Sequence, residues 1–223
     1  MNKQPKIELL QAEVDEDDQS LFRLLVDGHS IKYITIEPGI YGAEDMCFGP
    51  SLVSLLPDLP PGNWNDGLVA KNPDDGQAHF AHARVTQFPA VQNTWHATTV
   101  DYLDLAIGRK LRTGIYEATS SLFGAESIIA KFARFPWEIG YLESETTAYQ
   151  WINGHSFGPR FLGHLTENDR VIGFLLERIT GARHAGAEDV EVCQEALSRL
   201  HGLGVRHGDI NGLISSSVAR GRF

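Results

Sequence analysis

Three side chains in this chain have the type and setting for charge-based chemistry. Lys131 is carried by the short strand-like segment Ser127-Ile128-Ile129-Ala130-Lys131-Phe132, a cation next to an apolar run. Glu145 lies in Glu-Thr-Thr-Ala-Tyr, on a stretch where Ile139, Leu142, Thr146, Tyr149 and Ile152 recur at helical spacing, and Glu143 is a nearby substitute. Asp209 stands in Arg206-His207-Gly208-Asp209-Ile210-Asn211. Taken singly, each has a plainer role: a surface lysine, a solvated helix glutamate, an acidic turn residue. Metal chemistry has weaker support. Cys193, His201 and His207 lack a fourth ligand, and Cys193 falls on an apolar helix face. The acidic stretch Glu13 to Asp18 lacks calcium-loop spacing.

The elements that must position these residues follow from patterning. Residues 6–37 alternate apolar and polar positions about Asp27-Gly28, which predicts a hairpin. Residues 50–98 are punctuated by Pro57, Pro60, Pro61, Gly62, Pro73, Gly76 and Pro89, which leaves little room for long elements, and Leu56-Pro57-Asp58-Leu59-Pro60-Pro61 reads as a stiff linker with polyproline character or as an extended ligand for an aromatic-groove domain. Tyr102, Leu103, Leu105 and Ile107 predict a strand leading to Gly108; a glycine-marked turn follows, then a second strand from Ile115. Residues 127–132 predict a third strand. A helix follows, then an apolar strand from Val171 to Ile179. An amphipathic helix from about Ala187 to His201 presents Val190, Cys193, Ala196, Leu197 and Leu200 on one side.

Composition narrows the function classes. The chain has 223 residues, 19 basic against 29 acidic, for a formal charge of −10. That sign disfavours nucleic acid and anionic membrane surfaces as partners. No apolar run reaches membrane-spanning length, and the first 30 residues lack a secretory pattern. Two cysteines are too few for a disulfide framework, so the expected location is cytoplasmic.

In this order, strand, turn, strand, strand with Lys131, helix with Glu145, apolar strand, helix and His-Gly-Asp, the chain resembles the protein-kinase-like superfamily. It is closest in style to aminoglycoside and choline phosphotransferases. It also resembles a set of fungal kinase-like proteins that share its Pro-Trp-Glu-Ile, Gly-Pro-Arg-Phe-Leu-Gly-His and Arg-His-Gly-Asp-Ile-Asn segments, some of which carry an α-galactosidase label. The resemblance implies ATP-dependent phosphoryl transfer to a hydroxyl of a protein or small molecule, with ATP and Mg2+ as cofactors. It implies that Lys131 reaches the nucleotide phosphates, Glu145 holds Lys131, and Asp209 orients the acceptor hydroxyl. Gly108 belongs to the phosphate-covering turn. The backbone from Glu177 to Ile179 forms a hinge that bonds the base.

The pattern also breaks. Lys110 and Thr113 stand where further glycines are usual, Ile214 where a magnesium-binding asparagine is usual, and no acidic metal motif follows. Impaired activity is therefore expected, from a truncated or mis-spliced product. The expected fold is α+β: an N-terminal β-rich extension and Pro/Gly-rich linker (1–98), a kinase-like N-lobe (99–180), a partial helical C-lobe with the catalytic loop (181–211) and an unrelated tail (212–223). Two alternatives stand beside it. One is a non-catalytic, pseudokinase-like module that binds a nucleotide, or a protein partner through the N-terminal β region. The other is a glycoside hydrolase, although no carboxylate pair stands out for that chemistry.

Overall fold

The structure is a computed structural model that describes residues 5–155, 157–181, 183 and 185–206. The fold is mixed α+β, with two sheets and several helices. The chain divides into two compact units, Met1–Phe88 and Pro89–Phe223. The sequence expectation placed this boundary at residues 98/99. No helix among the described residues is long and apolar enough to cross a membrane.

The first unit is a five-stranded sheet in the order β1-β2-β3-β4-β5. Strands β1 (Ile7–Glu13), β2 (Ser20–Val26) and β3 (Ser30–Ile36) form an antiparallel meander. The expected turn lies between β2 and β3, where Asp27 and Gly28 both take positive φ (53° and 74°), the twist that suits a tight hairpin. Two short helices, α1 (Ala43–Cys47) and α2 (Gly49–Leu55), then carry the chain to β4 (Asp66–Lys71), which runs parallel to β3. β5 (Ala78–Arg84) completes the sheet. Residues 50–98 thus hold two strands where little room for long elements is expected, while residues 56–61 lie between α2 and β4. Pro57, Pro60, Pro61, Gly62, Pro73 and Gly76 lie between elements, at the loops around residues 57–62 and 73–76, whereas Pro50 stands in the first turn of α2 and Gly67 lies within β4. The core of this unit gathers Phe22, Leu24, Ile34, Ile36, Met46, Leu52, Trp64 and Val69. Lys32 enters it too. Its ammonium donates to the Trp64 carbonyl at 2.6 Å and lies 4.0 Å from the centre of the Trp64 ring, and burial lowers its pKa.

The second unit holds a six-stranded sheet in the order β6-β10-β11-β9-β8-β7. The predicted strand from Tyr102 to Ile107 is strand only at its end: Tyr102–Asp104 form a 3-10 turn and the next strand begins at Ala106. β6 (Thr99–Asp101) ends at a 3-10 turn over Tyr102–Asp104, where the Asp101 carboxylate accepts the Leu103 N–H at 2.9 Å. The helical turn interrupts the alternation because Asp101 caps it. β7 (Ala106–Arg112) and β8 (Ile115–Thr119) form a hairpin, β9 (Ile128–Phe132) joins β8, and α3 (Ile139–Trp151) follows. A second hairpin, β10 (Phe161–Glu167) and β11 (Arg170–Glu177), slots beside β9. The amphipathic helix forms as α4 (Val190–Gly202), but none of its residues is buried.

Two glycines let this second sheet close. Gly114 makes the β7–β8 turn at φ +70°, and a Cβ there would stand 2.8 Å from the Phe132 carbonyl oxygen. Gly173 on β11 lies so close to β9 that a Cβ would overlap the Lys131 carbonyl oxygen and the backbone of Phe132. Gly114→Ala is expected to destabilise this unit by about 1–3 kcal/mol from the left-handed backbone alone, and Gly173→Ala by more. Urea unfolding followed by tryptophan fluorescence checks both.

Candidate functional site

The site begins with alternation in β9. Ile128, Ala130 and Phe132 are buried on one face, where Phe132 meets Tyr102 and stacks on Tyr116. Ile129 and Lys131 point to the other face. Directly across from Lys131 are Phe174 on β11 and Ile115 on β8. α3 docks on this second face through Tyr149, which packs against Phe161 and Phe174 at ring distances of 5.8 and 5.3 Å. Glu145 lies one turn before Tyr149 and so arrives over Lys131. The Lys131 ammonium is 2.6 Å from each oxygen of the Glu145 carboxylate. The pair remains open to solvent, with side-chain exposures of 28% and 40%. Burial and the neighbouring Glu145 charge push the Tyr149 phenol well above its ordinary range.

Glu143 does something else. Its carboxylate accepts the backbone N–H of Gln92 at 2.5 Å and that of Asn93 at 3.2 Å. Two residues apart on a helix, Glu143 and Glu145 point to different sides, so only Glu145 serves Lys131.

A second charged group shares the Lys131 face. Glu117 on β8 lies opposite Ile129. It accepts from Arg109 at 2.8 Å and pairs with Arg178 at 3.0 Å. The Arg109 hydrogen bond, with the charges of Arg109 and Arg178, holds the Glu117 carboxyl below the usual carboxylate range. Lys110 and Arg112 are exposed on β7 beside Arg109. Between residues 106 and 134 the chain carries Arg109, Lys110, Arg112, Lys131 and Arg134 against Glu117 and Glu126. An acidic protein thus has a locally basic sheet edge.

The remaining expected residues are distributed as follows. Gly108 lies inside β7, not in the turn, which is a correction: the hairpin closes tightly at Thr113-Gly114, with Arg112 opposite Ile115. Gly108 lets β7 approach β8, since a Cβ there would be 3.2 Å from the Glu117 carbonyl oxygen. Glu177 ends β11, opposite Ile128, so its side chain faces away from Lys131, and its N–H already donates to the Arg160 carbonyl at 2.9 Å. Ile179 follows beyond the strand, half-buried. A pocket of about 420 Å3 opens at this end of the sheet, lined in part by Phe123, Ile128, Arg160, Leu162, Glu177 and Arg178. Asp209 lies outside the described residues, with His207, Asn211 and Ile214.

The expected cofactor, ATP with Mg2+, is corrected at the metal. Among the described residues no group of three or more His, Cys, Asp or Glu side chains could hold a metal ion. The physical reason is that the carboxylates near Lys131 already have partners. Glu145 is taken by Lys131, Glu117 by two arginines, and Glu143 by backbone amides. Comparison with known protein families, curated proteins and solved structures finds no match.

Sequence reasoning found Lys131 and Glu145 but missed the Arg109–Glu117–Arg178 cluster. The one available signal was the run of cations at 109, 110 and 112 in an acidic chain. The Lys131–Glu145 pair is partly solvated, so its coupling is small. A double-mutant cycle with Lys131→Met and Glu145→Gln is expected to give about 0.5 kcal/mol at low salt, shrinking as salt is added. A coupling that ignores salt would contradict this description.

Proposed function

We infer that the Pro89–Phe223 unit contains a kinase-like N-lobe, over residues 99–180, that acts as a nucleotide-binding module without a divalent metal, and not as a phosphotransferase. The observation that carries this reading is the Lys131–Glu145 pair. Glu145 fixes the ammonium in position, yet more than a quarter of the lysine side chain stays accessible. A lysine ammonium has three donors, so with Glu145 engaged one remains for a phosphate oxygen. The element order supports the same reading. The lysine strand β9 is flanked by the β7–β8 hairpin and by β11, and the glutamate helix lies between β9 and β10.

The basic β7 edge supports an anionic ligand. Arg109 and Lys110 add charge near the hairpin where a glycine-rich loop would use backbone amides. Phosphoryl transfer demands neutralisation of developing charge, which metal ions supply in this class of reaction. The described carboxylates are committed to other partners, which favours binding over transfer.

Thermal unfolding of the whole chain with ADP in excess EDTA tests the reading. Ligand at about 100 times its dissociation constant should add about 2.7 kcal/mol and raise the midpoint by several degrees. Lys131→Ala should keep a cooperative transition and lose the shift. A cooperative wild-type transition that ADP leaves unmoved would sink the proposal. Transfer of phosphate to an acceptor would replace it with the phosphotransferase reading.

A further inference from the structure

Residues 89–98 have no regular secondary structure, yet they are fastened along their length within the second unit. The Pro89 carbonyl accepts from Arg170 at 2.9 Å, and the Val91 N–H donates to the Val171 carbonyl at 2.9 Å. Gln92 and Asn93 donate to Glu143 on α3, and the Asn93 amide donates to Thr147 and Gln150. The Trp95 indole donates to the Thr146 carbonyl at 3.1 Å. The segment is a strap joining α3 to the sheet.

At its end the strap is held by a backbone bond, from the His164 N–H to the Thr98 carbonyl at 2.9 Å, and by two bonds in which imidazoles are the acceptors. The His96 N–H donates to His164 Nε2 at 3.1 Å, and the Thr98 N–H donates to His96 Nδ1 at 3.2 Å. His164 is fully buried on β10, beside the Phe161 ring, and its Nδ1 has no hydrogen-bond partner. Accepting at Nε2 requires that nitrogen to be unprotonated, so the single proton of neutral His164 sits on Nδ1. A second proton at Nε2 would set one N–H against another and place an unpaired charge in the core.

We propose that residues 89–98 form a pH-sensitive strap, latched by neutral His164 and released from β10 when His164 takes up a proton. The surroundings offer that proton no counter-charge. Facing His164 from the strap is His96, itself titratable. β11 presents Phe174 opposite it and β6 presents Thr99. α3 turns the buried Thr146 inward, while its acids Glu143 and Glu145 are held by the strap amides and by Lys131. Burial, with His96 adding a repulsive contribution, lowers the pKa of His164. The sign follows. An imidazole whose folded value is depressed contributes stability that is present above the ordinary value of about 6.5 and lost as pH falls through the folded value. Release is therefore an acid response. It does not depend on what the Lys131–Glu145 pair binds.

Native-state hydrogen exchange of the full chain, corrected for intrinsic rates, reads the latch at about pH 7.5 and about pH 5.5. Protection of the His96 and Thr98 amides should fall about tenfold or more, while β9 and β11 amides hold theirs. In His164→Gln, whose amide oxygen can accept the His96 N–H without titrating, strap protection should no longer follow pH. Loss of protection at the strap and in β9 and β11 together would mean global acid unfolding and overturn the proposal. If His164→Gln fails to fold, the wild-type imidazole titration followed by NMR decides. A His164 that titrates at or above the ordinary imidazole value would also overturn it.

Discussion

Everything on the Lys131 face depends on how α3 is held. The helix fully buries Ile139, Leu142 and Thr146 and packs Tyr149 on Phe161 and Phe174, a narrow apolar contact that leaves its rotation and height to be fixed by directional bonds as well. Polar bonds do the rest. At its start, Glu138 closes back on the Arg134 side chain and on the backbone N–H groups of Arg134 and Phe135. In its middle, Glu143 takes two strap amides and the Thr146 carbonyl takes the Trp95 indole. Glu145 then reaches Lys131 from a helix already located by those contacts. Because such bonds are directional, they set geometry more sharply than apolar burial does.

Much of this was legible in the sequence where a single period ran uninterrupted. The alternation around Asp27-Gly28, the apolar run of β9 and the helical spacing from Ile139 to Tyr149 each specify an element by themselves. Three strands were missed for local reasons. β4 and β5 sit among prolines and glycines that delimit them, and β4 itself contains Gly67. In β10, Gly163 and His164 break the apolar pattern of a strand whose residues are almost all buried. The strand expected from Tyr102 begins only at Ala106, because the Asp101 cap turns Tyr102–Asp104 into a 3-10 helix.

The site was legible in residue type but not in pairing. Nothing in the spacing shows that Glu145 serves Lys131 while Glu143 serves the strap; the helix phase decides that. Nor does net charge reveal the site's character. A formal charge of −10 speaks for the whole chain, whereas fields at a surface are set by neighbours within about 8–10 Å. The basic residues of β7, β9 and the end of β11 converge only when the sheet forms.

The parallel pairing of β6 with β10 also governs the order in which the second unit is completed during synthesis. Thr99 pairs with His164, 65 residues later in the chain (164 − 99), and the His96 amide waits 68 residues for its acceptor. At about 5–20 residues per second, β6 waits on the order of 3–13 s after it is made. The first unit, by contrast, has all its strands once residue 84 is made. From the completion of β9 at Phe132 until β11 is made, β9 has β8 on one side and an unpaired edge on the other, and until Phe161 is made Trp95 lacks that ring. An open strand edge beside an unplaced indole is a surface that associates readily. A nascent chain paused before Phe161 is therefore the form of this protein most in need of a chaperone.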